Sequence, residues 1–139
     1  MKHLFVDTNV LIDFLANRKP FSLEAATLFN FALQKRLTIY VAAVSFNNIY
    51  YILRQSCSHS DTLHILSELE EWTTTVDVSK EVIKKSLQSD FKDFEDAIQY
   101  HCAKTIKNID GIVTRNRKDF KTSTLAVFTP KEALSLIES

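Results

Sequence analysis

Short runs of apolar residues alternate along the chain with longer segments in which apolar residues recur every three or four positions. The short runs are rich in β-branched and aromatic residues and predict strands, whereas the longer spacing predicts amphipathic helices. Strands that are separated throughout by helices indicate a parallel sheet with helices packed against it. We therefore expect an α/β protein, a three-layer α/β/α sandwich with a parallel sheet of about five strands, at residues 4–6, 37–42, 73–78, 111–114 and 125–128.

The helices are predicted from the same pattern and from the polar residues that precede them. Thr129, Pro130 and Glu132 form a strong helix start, with a Thr cap, Pro at the first position and Glu at the third. A chain of 139 residues is long enough for one core, and we expect a single domain over residues 1–139. The expected helices cover residues 10–15, 22–33, 46–55, 61–72, 79–87, 94–106 and 130–137.

Composition narrows the class of protein without naming a function. Hydrophobic residues make up 45% of the chain, with one Gly and two Pro, which favours a helix-rich globular protein. Basic and acidic residues number 17 each, so the net charge argues neither for nor against a nucleic-acid partner. No run approaches the roughly 20 apolar residues of a membrane span, and we expect no secretion signal. Cys57 and Cys102 match no zinc spacing, which predicts two reduced, buried cysteines in a cytoplasmic protein.

The first predicted strand ends in an acid. Asp7 directly follows Leu4–Val6, and Thr8 and Asn9 then offer caps for a helix. A strand that ends in a carboxylate and turns into a helix places that carboxylate at the carboxyl edge of the sheet, where open α/β sheets bind ligands. The alternative is that Asp7 only caps the helix.

Further acids and amides are expected at the same edge. Asp93 and Asp96 open the helix before the fourth strand, and Asn116 and Asp119 follow that strand. Converging carboxylates repel one another unless a cation joins them, and an oxygen-only set suits Mg²⁺ or Mn²⁺. Each pair on its own is also compatible with an ordinary helix start. The convergence of all of them favours a metal site that supports phosphoryl chemistry.

Three stretches carry a resemblance to a known family: FVDTNVLI at 5–12, DFEDAIQ at 93–99 and IVTRNRKDF at 112–120. Together they resemble the PIN domain, and among its members the VapC-like toxins of type II toxin–antitoxin modules, over essentially the whole chain. The resemblance implies an α/β/α sandwich, Mg²⁺ or Mn²⁺ at an acidic site and cleavage of single-stranded RNA. It also implies a homodimer that is inhibited by a cognate antitoxin protein.

The resemblance assigns roles to individual positions. It implies that the first and third acids of the family, which hold the metal, fall on Asp7 and Asp96, and that Thr114 matches the family's Thr. The second and fourth acids fall on Asn48 and Asn116, which are neutral. We expect the nearby carboxylates to compensate and the site to be a working variant; these are Asp93 and Asp119. The alternative is a catalytically impaired module that binds RNA or a protein partner.

Basic residues beside the predicted metal site offer contacts to RNA phosphates. Arg115, Arg117 and Lys118 form a small cluster there, although a charged run can also be a solvated loop. Asp13, on the first helix, is expected at the surface. Tyr50 and Tyr51 are expected in the core or in a dimer interface rather than stacked on bases. A phosphatase with an aspartyl nucleophile is disfavoured, because Asn9 stands where that chemistry usually needs a second Asp.

Overall fold

The computed structural model describes residues 1–138 and contains one five-stranded sheet with the strand order β3-β2-β1-β4-β5. Every neighbouring pair of strands is parallel. The α/β/α sandwich and the number of strands predicted from the sequence are confirmed. The strands are β1 (Lys2–Val6), β2 (Leu37–Ala42), β3 (Thr74–Val76), β4 (Gly111–Val113) and β5 (Val127–Phe128).

The helices cover both faces of the sheet unequally. They are α1 (Thr8–Leu15), α2 (Ser22–Leu33), α3 (Ala43–Leu53), α4 (His59–Trp72), α5 (Lys80–Leu87), α6 (Phe94–Lys104) and α7 (Pro130–Glu138), with a 3₁₀ turn at Arg117–Phe120. One core unites α1, α2, α3, α4 and α7 with one face, and a second core unites α5 and α6 with the other. None of the helices within residues 1–138 is long and apolar enough to cross a membrane.

The central strand β1 is buried on both faces. Leu4 and Val6 point into the larger core, and Phe5 points into the smaller one, with none of the three exposed. This alternation follows from the two-residue period of a strand, and it explains why β1 reads as a continuous apolar run. Because β2 and β4 flank β1, the chain segments that follow these three strands all start at the same edge of the sheet.

Close packing of backbone against side chain explains the single glycine. A Cβ atom at Gly111 would lie 2.6 Å from Cε2 of Phe128 and 2.7 Å from the carbonyl oxygen of Ala126. Any side chain at the start of β4 would therefore push β5 away from its partner strand. The lone Gly allows the two strands to pair at this point.

Several boundaries and environments differ from the sequence-based prediction. Helix α3 begins at Ala43 rather than at residue 46, because Ala42 is still extended and the chain turns directly into the helix. Helix α4 begins at His59 rather than at residue 61, because the Ser58 side chain accepts a hydrogen bond from the Asp61 N–H. Cys102 is buried as predicted, but Cys57 is only half-buried. The predicted cap of α7 is confirmed, since Thr129 and Glu132 exchange reciprocal hydrogen bonds.

Candidate functional site

Asp7 lies at the N-terminus of α1, but its carboxylate does not cap that helix. Instead, Gln99 Nε2 donates to Oδ1 of Asp7 at 2.9 Å, and Thr114 Oγ1 donates to Oδ2 at 2.9 Å. The side chain is 4% exposed. Burial raises the pKa of Asp7 above its ordinary value, and these two hydrogen bonds oppose that rise. Hydrogen bonds from α6 and from the end of β4 therefore hold this carboxylate in one orientation.

A buried polar network connects Asp7 to two other helices. Gln99 Oε1 accepts hydrogen bonds from the Thr8 N–H at 3.0 Å and from Thr8 Oγ1 at 3.2 Å. Thr8 Oγ1 also lies 2.7 Å from Ser45 Oγ on α3. Thr8, Ser45 and Gln99 are all buried, and a satisfied network of this kind fixes side-chain positions. The network therefore sets the positions of α1, α3 and α6 at the carboxyl edge of the sheet.

Glu95 is a site residue that the sequence reasoning missed. Its Oε2 accepts a hydrogen bond from Thr8 Oγ1 at 3.2 Å and another from Nδ2 of Asn48 on α3. The negative charge of Glu95 also contributes to the raised pKa values of Asp7 and Asp96. A carboxylate thus lies against Asn48, the position at which the resemblance implies an acid. The available signal was helical spacing, because residues 95 and 99 share one face of α6.

Asp93 and Asp96 have different surroundings, although both lie at the start of α6. Asp93 is exposed and caps α6, because its Oδ1 accepts a hydrogen bond from the Asp96 N–H at 3.0 Å. Burial, together with the negative charges of the neighbouring acids, raises the pKa of Asp96 to about 7; these acids are Asp7, Asp93, Asp119 and Glu95. Asp7 and Asp96 therefore lie close enough to interact through their charges, as the convergence of acids predicts.

Replacing Asp96 with Asn is expected to stabilise the metal-free protein at high pH. Because the folded protein binds a proton at Asp96 more tightly than the unfolded chain does, its stability falls as the pH rises from about 4 to about 7. The Asn variant lacks this loss, so its advantage should be present above pH 7 and absent below about pH 4. We expect about 1 kcal/mol, or roughly 3 °C in Tm, because the group is partly screened by solvent.

Thermal melts in EDTA at several pH values measure this effect. Asp61→Asn is the matched control, because Asp61 occupies the same position in the first turn of α4 as Asp96 occupies in α6. Equal shifts in the two variants would show that the stabilisation does not come from the carboxylates around Asp96.

Asn116 and Asp119 lie together on the surface after β4. Asn116 Oδ1 accepts a hydrogen bond from the Lys118 N–H at 3.2 Å, so this side chain caps the 3₁₀ turn. Asn116 Nδ2 also donates to Oδ1 of Asp119 at 3.3 Å. Thr114 connects this loop to the centre of the site, since its Oγ1 contacts both Asp7 and the Asn116 N–H.

The expectation of a surface position for Asp13 is wrong. Asp13 is 1% exposed, and its carboxylate forms ion pairs with Arg115 Nε at 2.8 Å and with Arg18 at 3.8 Å. The Arg115 guanidinium also lies 4.1 Å from the ring centroid of Phe21. Burial raises the pKa of Asp13, while the two guanidinium groups oppose the rise. Arg115 thus joins the loop after β4 to α1 and to the segment before α2.

Replacing Arg115 with Ala is expected to destabilise the fold by about 2–3 kcal/mol, because it leaves the buried Asp13 carboxylate without its nearest partner. The double change Asp13→Asn and Arg115→Ala should recover part of this loss, because it removes the unpaired charge. Urea unfolding measures both values. A loss below about 0.5 kcal/mol for the single variant would be typical of a solvated arginine and would contradict this role.

The other two predicted phosphate-binding residues differ in their partners. Arg117 pairs with Glu132 of α7 at 2.9 Å, on the exposed surface. Lys118 lines a cavity that also contains Asp93, Asp96 and Asp119. Within residues 1–138, Lys118 forms no ion pair, whereas Arg115 and Arg117 each pair with an acid. Lys118 is therefore the predicted phosphate-binding residue that faces the acidic cluster with a free charge.

The donor groups at this edge fit a hard divalent cation. They are carboxylate, amide and hydroxyl oxygens, which Mg²⁺ and Mn²⁺ prefer. Within residues 1–138, no three His, Cys, Asp or Glu side chains lie close enough together to enclose an ion. Mg²⁺ keeps several of its waters and commonly binds through one or two carboxylates, so the pair Asp7 and Asp96 is sufficient.

Comparison with known proteins shows the family to which the chain belongs. The family model of the PIN domain matches residues 3–118, which include β1 to β4 and the Asp7, Glu95 and Asp96 side chains. The chain belongs to the PIN domain family. Among the curated relatives of this PIN domain is Ribonuclease VapC1 of Aquifex aeolicus (strain VF5), which is 25% identical over 137 residues, or 93% of this chain and 91% of the relative.

Solved structures share the fold of this PIN domain. VapC20 of Mycobacterium tuberculosis, described as a sarcin-ricin loop cleaving toxin, matches with a TM-score of 0.68 at 13% identity, over 86% of this chain and 94% of that one. A toxin–antitoxin complex from Klebsiella pneumoniae matches with a TM-score of 0.64 at 24% identity, over 91% and 97%. The fold predicted from the resemblance is therefore confirmed.

Proposed function

We propose that this PIN domain is a metal-dependent endoribonuclease that cleaves single-stranded RNA as the toxin of a type II toxin–antitoxin pair. The observation that carries the proposal is the shared environment of Asp7 and Asp96: burial raises the pKa of Asp96, and repulsion by the Asp7 carboxylate adds to the rise. A cation between two such carboxylates would remove the repulsion. The likeness to Ribonuclease VapC1 supports RNA as the substrate.

In this proposal Asp7 and Asp96 would hold Mg²⁺ or Mn²⁺, and Glu95 is a third carboxylate whose negative charge acts on both of them without enclosing the ion. When bound, the ion supplies an activated water and stabilises charge on the scissile phosphate. Gln99 and Thr114 orient Asp7 by donating hydrogen bonds to its two oxygens. The side chains of this chain therefore supply a fixed set of oxygens at the end of the sheet.

Four further side chains complete the proposed site. Asn48 is neutral, and it positions the Glu95 carboxylate through its amide N–H instead of binding the ion as an acid. Asp93 and Asp119 lie at the outer rim, where they add negative charge near Asp96. Lys118 is the proposed contact for an RNA phosphate.

The proposed partners follow from the relatives. The structural neighbours include toxin–antitoxin complexes, so we propose a cognate antitoxin protein, and a homodimer as the assembled state. The exposed side chains of Tyr51 on α3 and Leu63 on α4 are the surface that we propose for the contact between the two copies. We propose the cytoplasm as the location, where RNA is the accessible substrate.

The test is direct cleavage. Purified protein is incubated with a labelled single-stranded RNA and with its duplex form, in Mn²⁺, in Mg²⁺ and in EDTA. We expect internal cleavage of the single strand with either ion and none in EDTA. Cleavage that persists in EDTA would overturn the metal-dependent mechanism. RNA that stays intact in all conditions would overturn the proposal that the protein is an endoribonuclease.

A second candidate function is a PIN domain that has lost catalysis and binds RNA or a protein partner. It is favoured by the neutral Asn48 and Asn116, and by the lack of three enclosing acids within residues 1–138. Calorimetric titration with Mn²⁺ distinguishes the two candidates. Saturable binding that disappears in Asp7→Asn supports the nuclease, and no heat of binding together with retained RNA affinity supports the binding module.

A further inference from the structure

A cavity of about 280 Å³ opens beside the acidic cluster, between the first turn of α6 and the 3₁₀ turn. It shares Asp93, Asp96, Asp119 and Lys118 with the site described above and extends away from that site toward residues that the proposed chemistry does not use. These are Phe91, Lys92 and Lys121, together with the carboxylate of Asp90. The cavity is therefore continuous with the reaction centre but has its own lining.

The lysines of this cavity are available to a ligand. Within residues 1–138, none of the ammonium groups of Lys92, Lys118 and Lys121 forms an ion pair or a hydrogen bond with another side chain. All three residues are exposed. Arg115 and Arg117, in contrast, are each paired with an acid. Unpaired ammonium groups around a concave surface are a suitable site for phosphate oxygens.

Phe91 gives the cavity a rigid apolar wall. The Phe91 ring is half-buried, with its centroid 5.1 Å from that of Tyr100 and 5.8 Å from that of Phe120. Tyr100 and Phe120 belong to the smaller core, so the ring of Phe91 is supported from behind. A supported aromatic ring at a surface is the usual platform for an unpaired nucleobase.

We propose that this cavity binds the nucleotide that flanks the scissile phosphate, with its base or ribose against Phe91 and its phosphate on Lys92 and Lys121. The inference rests on the proposed nuclease function, because Asp96 lies on the rim that the two sites share. The volume is below the roughly 300–1,000 Å³ of sites for larger ligands, and it suits one nucleotide of a strand. Four carboxylates also line the cavity, at Asp90, Asp93, Asp96 and Asp119, so the lysines attract a phosphate once a bound cation offsets the charge of these acids.

The experiment compares two double variants with equal charge. Lys92→Gln with Lys121→Gln alters the cavity, whereas Lys35→Gln with Lys107→Gln removes two exposed lysines that precede β2 and β4, at the opposite edge of the sheet. Gln keeps most of the aliphatic stem, so the walls of the cavity are retained. Binding of a fluorescently labelled ten-nucleotide single-stranded RNA is measured by anisotropy over a range of salt concentrations. The measurement is made in Ca²⁺, a hard cation that oxygen ligands bind but that activates hydrolysis poorly, so that Asp7 is retained and the RNA stays intact.

We expect the cavity variant to bind RNA about tenfold more weakly, and the slope of log affinity against log salt to fall by about 0.7 for the one phosphate that loses its contacts. The control variant should change both values much less. Equal losses in the two variants, or none in either, would overturn the subsite. Stronger binding of a labelled ten-residue polyglutamate than of RNA, through the same lysines, would also overturn it.

Cleavage assays in Mn²⁺ separate this inference from the proposed function. A raised KM with an unchanged kcat in the cavity variant supports the subsite. Normal cleavage with an unchanged KM in the cavity variant would overturn the proposed subsite and leave the proposed nuclease function in place. If the unmodified protein cleaves no RNA, the proposed nuclease function itself is overturned, and the subsite that depends on it is overturned as well.

Discussion

Replacing Asp7 with Asn is expected to reduce RNA cleavage by at least about a hundredfold, and more if the ion is lost completely. The variant should remain folded, because the Asn Oδ1 can accept the hydrogen bond from Gln99 and its Nδ2 can donate to Thr114 Oγ1. Since burial raises the pKa of Asp7, removing its charge also favours the metal-free fold. We expect an equal or higher Tm in EDTA and no stabilisation by Mn²⁺.

Cleavage of labelled RNA and thermal melts with and without Mn²⁺ measure these two effects together. Asp110→Asn is the matched control, because Asp110 is exposed at the opposite edge of the sheet, where its carboxylate accepts the His3 N–H. That variant should cleave RNA and respond to Mn²⁺ normally. Retained cleavage in Asp7→Asn would remove the proposed mechanism.

Exchanging the residues at positions 48 and 95 is expected to show which helix supplies the third carboxylate. Glu95→Gln keeps an oxygen that can accept the hydrogen bonds from Asn48 and Thr8, but it removes the charge. We expect Mn²⁺ affinity and cleavage to fall by about 10–100-fold. Adding Asn48→Glu to this variant returns a carboxylate to the same space from α3, and should restore both to within about fivefold of the original protein.

The exchange is measured by calorimetry with Mn²⁺ and by cleavage of labelled RNA. Glu70→Gln, an exposed change on α4, controls for the loss of one negative charge from the protein. If Glu95 only supports the fold, Glu95→Gln will bind Mn²⁺ normally. A double variant that is no better than Glu95→Gln alone would show that the two positions do not serve one site.

The order of elements was predictable because burial imposes it on the sequence. Leu4, Phe5 and Val6 of β1 must all be apolar, since both faces of the strand are covered there, and Asp7 is the first acid that follows them. Helix starts were less predictable where the chain turns from strand to helix without a capping side chain, as at Ala43. Where side chains do cap, as at Thr129 and Glu132, the prediction of the helix start is confirmed.

The site was predictable in outline and not in its contacts. Asp7 and Asp96 each adjoin a predicted element, so parallel topology alone brings them to one edge. Glu95 was missed because the role of Asn48 was inferred position by position, whereas the carboxylate beside it belongs to a different helix. Asp13 was placed wrongly because its burial depends on Arg115, which lies far away in the sequence and approaches only through the pairing of β1 with β4.

The pairing of β1 with β4 also affects when activity can appear during synthesis. Val6 pairs with Val113, and Asp7 receives its hydrogen bonds from Gln99 and Thr114, all of which leave the ribosome long after Asp7. A nascent chain that has not reached β4 carries the first acid without the groups that orient it. Any activity that depends on an oriented Asp7 therefore requires nearly the whole domain to have been translated.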